Sequence, residues 1–135
     1  MSAPFRLSVI TPEKVFFDGE TTQIIVRTTE GDIGILANHT ILVANLPSGP
    51  LRIMQEDGKY RAAAVSSGVL KVGNNKATIL ATAVEWADEI DIQRAKHAEE
   101  EARLRLKSEL SAVQFEHTQL KLQRALNRIN VSEKM

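Results

Sequence analysis

The sequence predicts a β + α chain: an N-terminal antiparallel β-sandwich of about ten short strands, then a C-terminal antiparallel hairpin of two helices. Three observations predict it. All 7 glycines and all 4 prolines lie in the first 73 residues, and these are the residue types that mark turns and breaks. Up to Val84, short apolar and β-branched runs recur between turn signals, with the roughly ten-residue rhythm of a sandwich or flattened barrel. From Asp88 onward Ala, Leu, Glu, Lys, Arg and Gln dominate, and apolar residues recur at the helical spacing of three and four.

Each strand follows from local pattern. Phe5–Ile10 alternates apolar and polar, as a strand with one buried face does, and Thr11-Pro12-Glu13 breaks it. Val15-Phe16-Phe17 is a short strand closed by an Asp18-Gly19 turn. The β-branched run Thr22–Thr29 stops at Glu30-Gly31-Asp32. Ile33–Leu36 leads to a corner at Asn38-His39-Thr40, where His39 reads as a turn residue. Ile41–Leu46 is stopped by Pro47-Ser48-Gly49-Pro50. Leu51–Gln55 and Tyr60–Val65 flank a hairpin turn at Glu56–Lys59. Ser67-Gly68 bends the chain before Val69–Val72, and Gly73-Asn74-Asn75 turns it into Lys76–Val84.

The helices are predicted at roughly 89–107 and 112–130. Acidic residues at Asp88-Glu89-Ile90-Asp91 suit the positive end of a helix dipole. Ala95, Ala98, Ala102, Leu106 and Leu110 form one stripe, whose alanines let a second helix approach closely. Ser111 is placed to cap the second helix, on which Phe115, Leu122, Leu126 and Ile129 form the facing stripe. Neither helix can bury its stripe alone, so the pair packs on itself, on the sandwich or on a partner. The division falls at residues 1–85 and 86–135, with Glu85–Asp88 as the candidate hinge and Trp86 packing the hairpin against the sandwich.

Composition excludes several functions. Lys and Arg number 17, as do Asp and Glu, so no global field attracts nucleic acid or an anionic membrane. With 0 cysteines there is no disulfide, thiolate catalyst or Cys-bound metal, and His39, His97 and His117 are too scattered for a metal site. No run has signal-peptide character or approaches the roughly 20 apolar residues of a membrane span, so any membrane association is expected through a partner. The sequence carries no nucleophile elbow and no P-loop, which argues against an enzyme. One class that stays open is a stand-alone sandwich binding module with a helical interaction arm. At 4% aromatic residues it would lack the stacking surface such a module uses.

Several stretches in order, Val9-Ile10-Thr11-Pro12-Glu13, Gly31–Thr40, Ser67–Val72 and Ala77–Ala81, resemble the epsilon subunit of bacterial F-type ATP synthase over the whole chain. Ala37 stands where that family usually has proline, and Ser67-Gly68 where it often has two glycines. The resemblance implies a non-catalytic central-stalk subunit at the cytoplasmic face of the cell membrane. Its sandwich would bind the gamma subunit and rest on the c-ring. Its hairpin would lie folded or extend into the alpha/beta catalytic head to inhibit ATP hydrolysis.

Ile90-Asp91-Ile92-Gln93-Arg94-Ala95 resembles the signature at which some of these subunits bind ATP. A helix start offers backbone N–H groups, and Arg94 adds a planar donor fork for phosphate. The resemblance extends the site to Glu85 and to Arg124 and Arg128, which share a helix face. It implies no required cofactor and ATP as a regulatory ligand held by Glu85, Ile90, Asp91, Arg94, Ala95, Arg124 and Arg128. Glu101 stands where ATP-binding relatives have arginine, which predicts weaker binding. Arg103, Arg105 and Lys107 are the expected contacts with the catalytic beta subunit when the hairpin extends.

Overall fold

The computed structural model describes residues 2–133. Eight strands come first: β1 (Phe5–Ile10), β2 (Val15–Thr21), β3 (Ile24–Thr28), β4 (Gly31–Ile35), β5 (Leu42–Leu46), β6 (Gly49–Met54), β7 (Tyr60–Gly73) and β8 (Lys76–Trp86). A 3₁₀ turn at Ala87–Glu89 leads into α1 (Ile92–Leu106) and α2 (Ala112–Glu133).

The strands hydrogen-bond in the order β2-β1-β8-β7-β6-β3-β4, with β5 also on β7. The two long strands make a sandwich of this one sheet. The first half of β7 pairs with β6 through Gly49↔Val65, and its second half pairs with β5 through Leu46↔Gly68. The start of β8 lies beside β1. One layer is therefore β2, β1, the start of β8, the end of β7 and β5, and the other is β4, β3, β6, the start of β7 and the end of β8.

The strands number eight against the expected about ten, and one segment fewer arises because Tyr60–Val65 and Val69–Val72 are one bent strand. The bend sits at Ser67, with φ 30°, and Gly68, which passes against the backbone of Leu80 and Ala81. One pairing also departs from the antiparallel expectation: β1 and β8 run parallel. Nearly the whole sandwich separates them in sequence, so no tight hairpin constrains their direction.

Alternation places the core. Leu7, Val9, Ile24, Val26, Ile35, Leu51, Ile53, Leu70 and Ile79 are fully buried between the layers. Burying each such side chain stabilises the fold by about 1.5–3 kcal/mol.

Both helix starts are capped by side chains. Asp91 Oδ1 accepts from Arg94 N at 3.1 Å. Ser111 and Gln114 form a reciprocal capping box: Gln114 N donates to Ser111 Oγ (3.2 Å) and Ser111 N donates to Gln114 Oε1 (3.1 Å). α1 begins later than expected because the 3₁₀ turn and extended Ile90 occupy the stretch before it. α1 packs on α2, and α2 lies on β6, β7 and the 3₁₀ turn. Ala95 and Ala102 are buried as the first stripe predicts, but the second stripe is corrected. Phe115 and Leu126 are exposed; Leu122 is buried as predicted, and Thr118 and Ala125 are buried with it. A helix approached closely by an alanine stripe presents small residues such as Thr118 and Ala125 to it, and Phe115 and Leu126 are left on the outer face.

Candidate functional site

The hairpin is folded against the sandwich, and the C-terminal half of α2 makes the contact. Val131 is buried in a small cluster with Ala64 of β7, Ala87 of the 3₁₀ turn and Ile90. One turn earlier, Arg128 reaches Glu85 near the end of β8. Its Nη2 donates to Glu85 Oε2 at 3.2 Å. Its Nε lies 2.6 Å from Oε1 as a charge contact but points off the line of a hydrogen bond. Beside it, Asn127 Nδ2 donates to Gly49 O and Val65 O, each at 3.2 Å.

Above this contact the two helices and the edge of β7 and β8 enclose a cleft of about 380 Å³. Four cations line it, Arg105 from α1 and Lys121, Arg124 and Arg128 from α2, against the carboxylates Glu85 and Glu101. Ala98, Ala102 and Ala125 form the floor between the helices. Glu85 is engaged by Arg128, and Glu101 lies 3.2 Å from His97 Nε2 one turn back. The remaining cations Arg105, Lys121 and Arg124 make the cleft a place for an anion.

The sequence-predicted residues are only partly gathered here. Glu85, Arg124 and Arg128 line the cleft. Ile90 is a packing residue, Asp91 spends one carboxylate oxygen on the cap of α1, and Ala95 is fully buried. Arg94 is exposed and lies outside the cleft lining, on the helix face that continues through Ala98, Glu101 and Arg105. The basic trio divides. Arg103 Nε donates to Glu99 Oε2 at 3.0 Å, Arg105 lines the cleft, and Lys107 is the C-cap of α1.

Trp86 does not serve the hairpin as expected. It packs within the sandwich on Phe16 (ring centroids 4.6 Å apart) and Phe17 (6.4 Å). The Arg61 guanidinium lies 3.8 Å from the ring centroid and also pairs with Asp88 at 3.6 Å. Small Ala87 and Ile90 take the hairpin contact instead. In the corner at Asn38, which has φ 60°, His39 Nδ1 donates to Thr40 O at 2.8 Å. Among the described residues no His, Cys, Asp and Glu cluster would hold a metal, and no helix is long and apolar enough to cross a membrane.

Sequence reasoning missed Lys121, Asn127 and Val131. Asn127 did carry a signal: it is a poor helix former in the interior of α2 among good ones.

Residues 4–87 match the family described as ATP synthase, Delta/Epsilon chain, beta-sandwich domain, and residues 88–133 match its long alpha-helix domain. The chain belongs to the ATP synthase delta/epsilon-chain family. It is 49% identical to the ATP synthase epsilon chain of Caldicellulosiruptor bescii, over 97% of this chain and 95% of that one. Identity to the epsilon chain of Ruminococcus albus is 43%, over 98% of each. Its fold is similar to that of a chain in the Euglena gracilis mitochondrial ATP synthase OSCP/F1/c-ring assembly (TM-score 0.82, 25% identity, 93% of this chain and 79% of that one).

Proposed function

We propose that this chain is a non-catalytic central-stalk subunit in which residues 1–85 dock on the rotor and residues 86–135 regulate. The sandwich binds the gamma subunit and rests on the c-ring, so the chain sits peripherally at the cytoplasmic face of the cell membrane through the complex. The hairpin inhibits ATP hydrolysis when it extends toward the alpha/beta head, where Arg103, Arg105 and Lys107 meet the beta subunit.

The observation that carries this reading is the hairpin's small attachment. Among the described residues, α2 meets the sandwich through one small apolar cluster, the Arg128–Glu85 pair and Asn127, whereas the buried core cluster lies wholly within the strands. Two packings of such an element differ by few contacts, which is what a switch requires. Co-purification with gamma is the first test, and a chain that fails to bind gamma overturns the stalk reading.

ATP is the proposed ligand of the folded state. Arg124, Arg105 and Lys121 take the phosphates in the cleft beside the Arg128–Glu85 pair, while Ile90, Asp91, Arg94 and Ala95, which lie outside its lining, shape and cap the start of α1. A ligand that binds only the folded hairpin shifts the switch toward it. Glu101 opposes the phosphates, so Glu101→Arg is expected to tighten ATP by about tenfold or more, the worth of ~1–2 kcal/mol of partly screened charge. Arg124→Ala is expected to weaken it by a similar factor. Calorimetric titration measures both, and equal affinities in wild type and Arg124→Ala would sink the nucleotide reading.

A further inference from the structure

Asn127 occupies an odd place. It stands in the interior of α2, where asparagine weakens a helix relative to alanine. It is half-buried, and its amide points away from its own helix to two backbone carbonyls far away in sequence.

Those carbonyls share a position. Gly49 opens β6 and Val65 is its partner on β7, the last pair of the β6–β7 ladder. Beyond Val65 the long strand bends at Ser67 and Gly68 and takes β5 as its neighbour. A carbonyl at the end of a ladder keeps a lone pair to offer, and an amide NH₂ has two donors, so one asparagine serves both. Two acceptors also fix the amide's orientation, since its oxygen in that place would face two oxygens.

We propose that Asn127 is the polar latch that keeps the hairpin docked in the absence of nucleotide, a positioning residue that sets α2 against the β6–β7 seam so that Arg128 meets Glu85. The proposal rests on the reading of the hairpin as a switch. The latch differs from the neighbouring ion pair because it carries no charge, so salt does not screen it and an anion in the cleft does not compete for it.

The test uses the full chain, which has no cysteine. Cysteines introduced at exposed Glu109, near the hairpin tip, and at exposed Leu80 of β8, away from the Glu85–Asp88 hinge, carry a donor and an acceptor for energy transfer. Asn127→Asp, of the same shape, places a carboxylate against two carbonyls, and Asn127→Ala removes both bonds while favouring helix. Without nucleotide, both are expected to raise the undocked fraction about tenfold, the worth of two ordinary hydrogen bonds. Transfer should fall while far-ultraviolet helix signal and the melting of the sandwich stay put. Transfer in Asn127→Asp equal to that of the unsubstituted chain would overturn the latch. Assembly of the same variants into the ATP synthase then separates the two readings. A hairpin freed by the substitution with hydrolysis unchanged leaves the latch standing and refutes the regulatory role.

Discussion

A methyl group at position 68 has nowhere to go. It would stand 2.2 Å from the Leu80 carbonyl oxygen and 2.9 Å from Ala81 Cα, both backbone atoms that no rotamer change can move. Gly68→Ala is therefore expected to cost about 1–3 kcal/mol or more, seen as a lower denaturant midpoint with unchanged slope. An unchanged midpoint would contradict the close approach. Charge acts at the same scale. Asp32 is held below its ordinary value of 3.8, chiefly by the hydrogen bond from Arg27, and Asp18 likewise by Arg6. A carboxylate lowered by folding stabilises above its unfolded pKa and loses that contribution as the pH falls through the folded one. The loss therefore begins below about pH 4. Asp32 is exposed enough for solvent to screen the pair, so Asp32→Asn is expected to cost only about 0.5 kcal/mol at neutral pH. Melting followed from neutral to acid pH should show variant and unsubstituted chain converging as the carboxylate is protonated. A constant gap at all pH values would mean the ionised form contributes nothing.

At the scale of elements, α2 has two jobs on two faces. Thr118, Leu122 and Ala125 meet α1, while Asn127, Arg128 and Val131 meet the sandwich. This explains which parts of the hairpin were legible in the sequence. The alanine stripe of α1 and the Ser111 cap follow from spacing and residue type alone. The buried face of α2 follows only at Leu122, because hydrophobicity ranks Phe115 above Thr118, while packing against the alanines of α1 favours the smaller side chain. Arg128 and Glu85 were placed in one neighbourhood only by resemblance, since no periodicity links residues on a strand end and a helix. Their pairing sets an element-scale expectation. Both side chains are partly sheltered, so a double-mutant cycle on Glu85→Gln and Arg128→Met should give a coupling of about 1 kcal/mol in hairpin docking. Energy transfer between labels on β8 and at the hairpin tip reads it, and a coupling near zero would leave docking to Asn127 and the apolar cluster.

At the scale of the whole molecule, the sequence divides by turn chemistry and the structure divides by core. Glycine and proline end at Gly73, yet β8 continues to Trp86, because a strand late in a sandwich needs no turn residue until it leaves the sheet. The strand count was harder to read than the fold class. Ser67-Gly68 has the composition of a turn, and only the pairing of β7 with β6 on one side and β5 on the other shows a bend within one strand. The large core is built from Phe5 to Val84 without any hairpin residue, whereas the cluster around Val131 needs both parts. A chain ending at Ala87 is therefore expected to keep a cooperative unfolding transition, weakened only by exposure of Ala64 and Ala87. A peptide of residues 88–133 has no core of its own beyond the seam of two helices, and should lose much of its helix in water. Circular dichroism of the two fragments decides the matter. A sandwich fragment that melts without cooperativity would make the hairpin part of the fold's foundation, and an element on which the fold depends could not leave it to act as a switch.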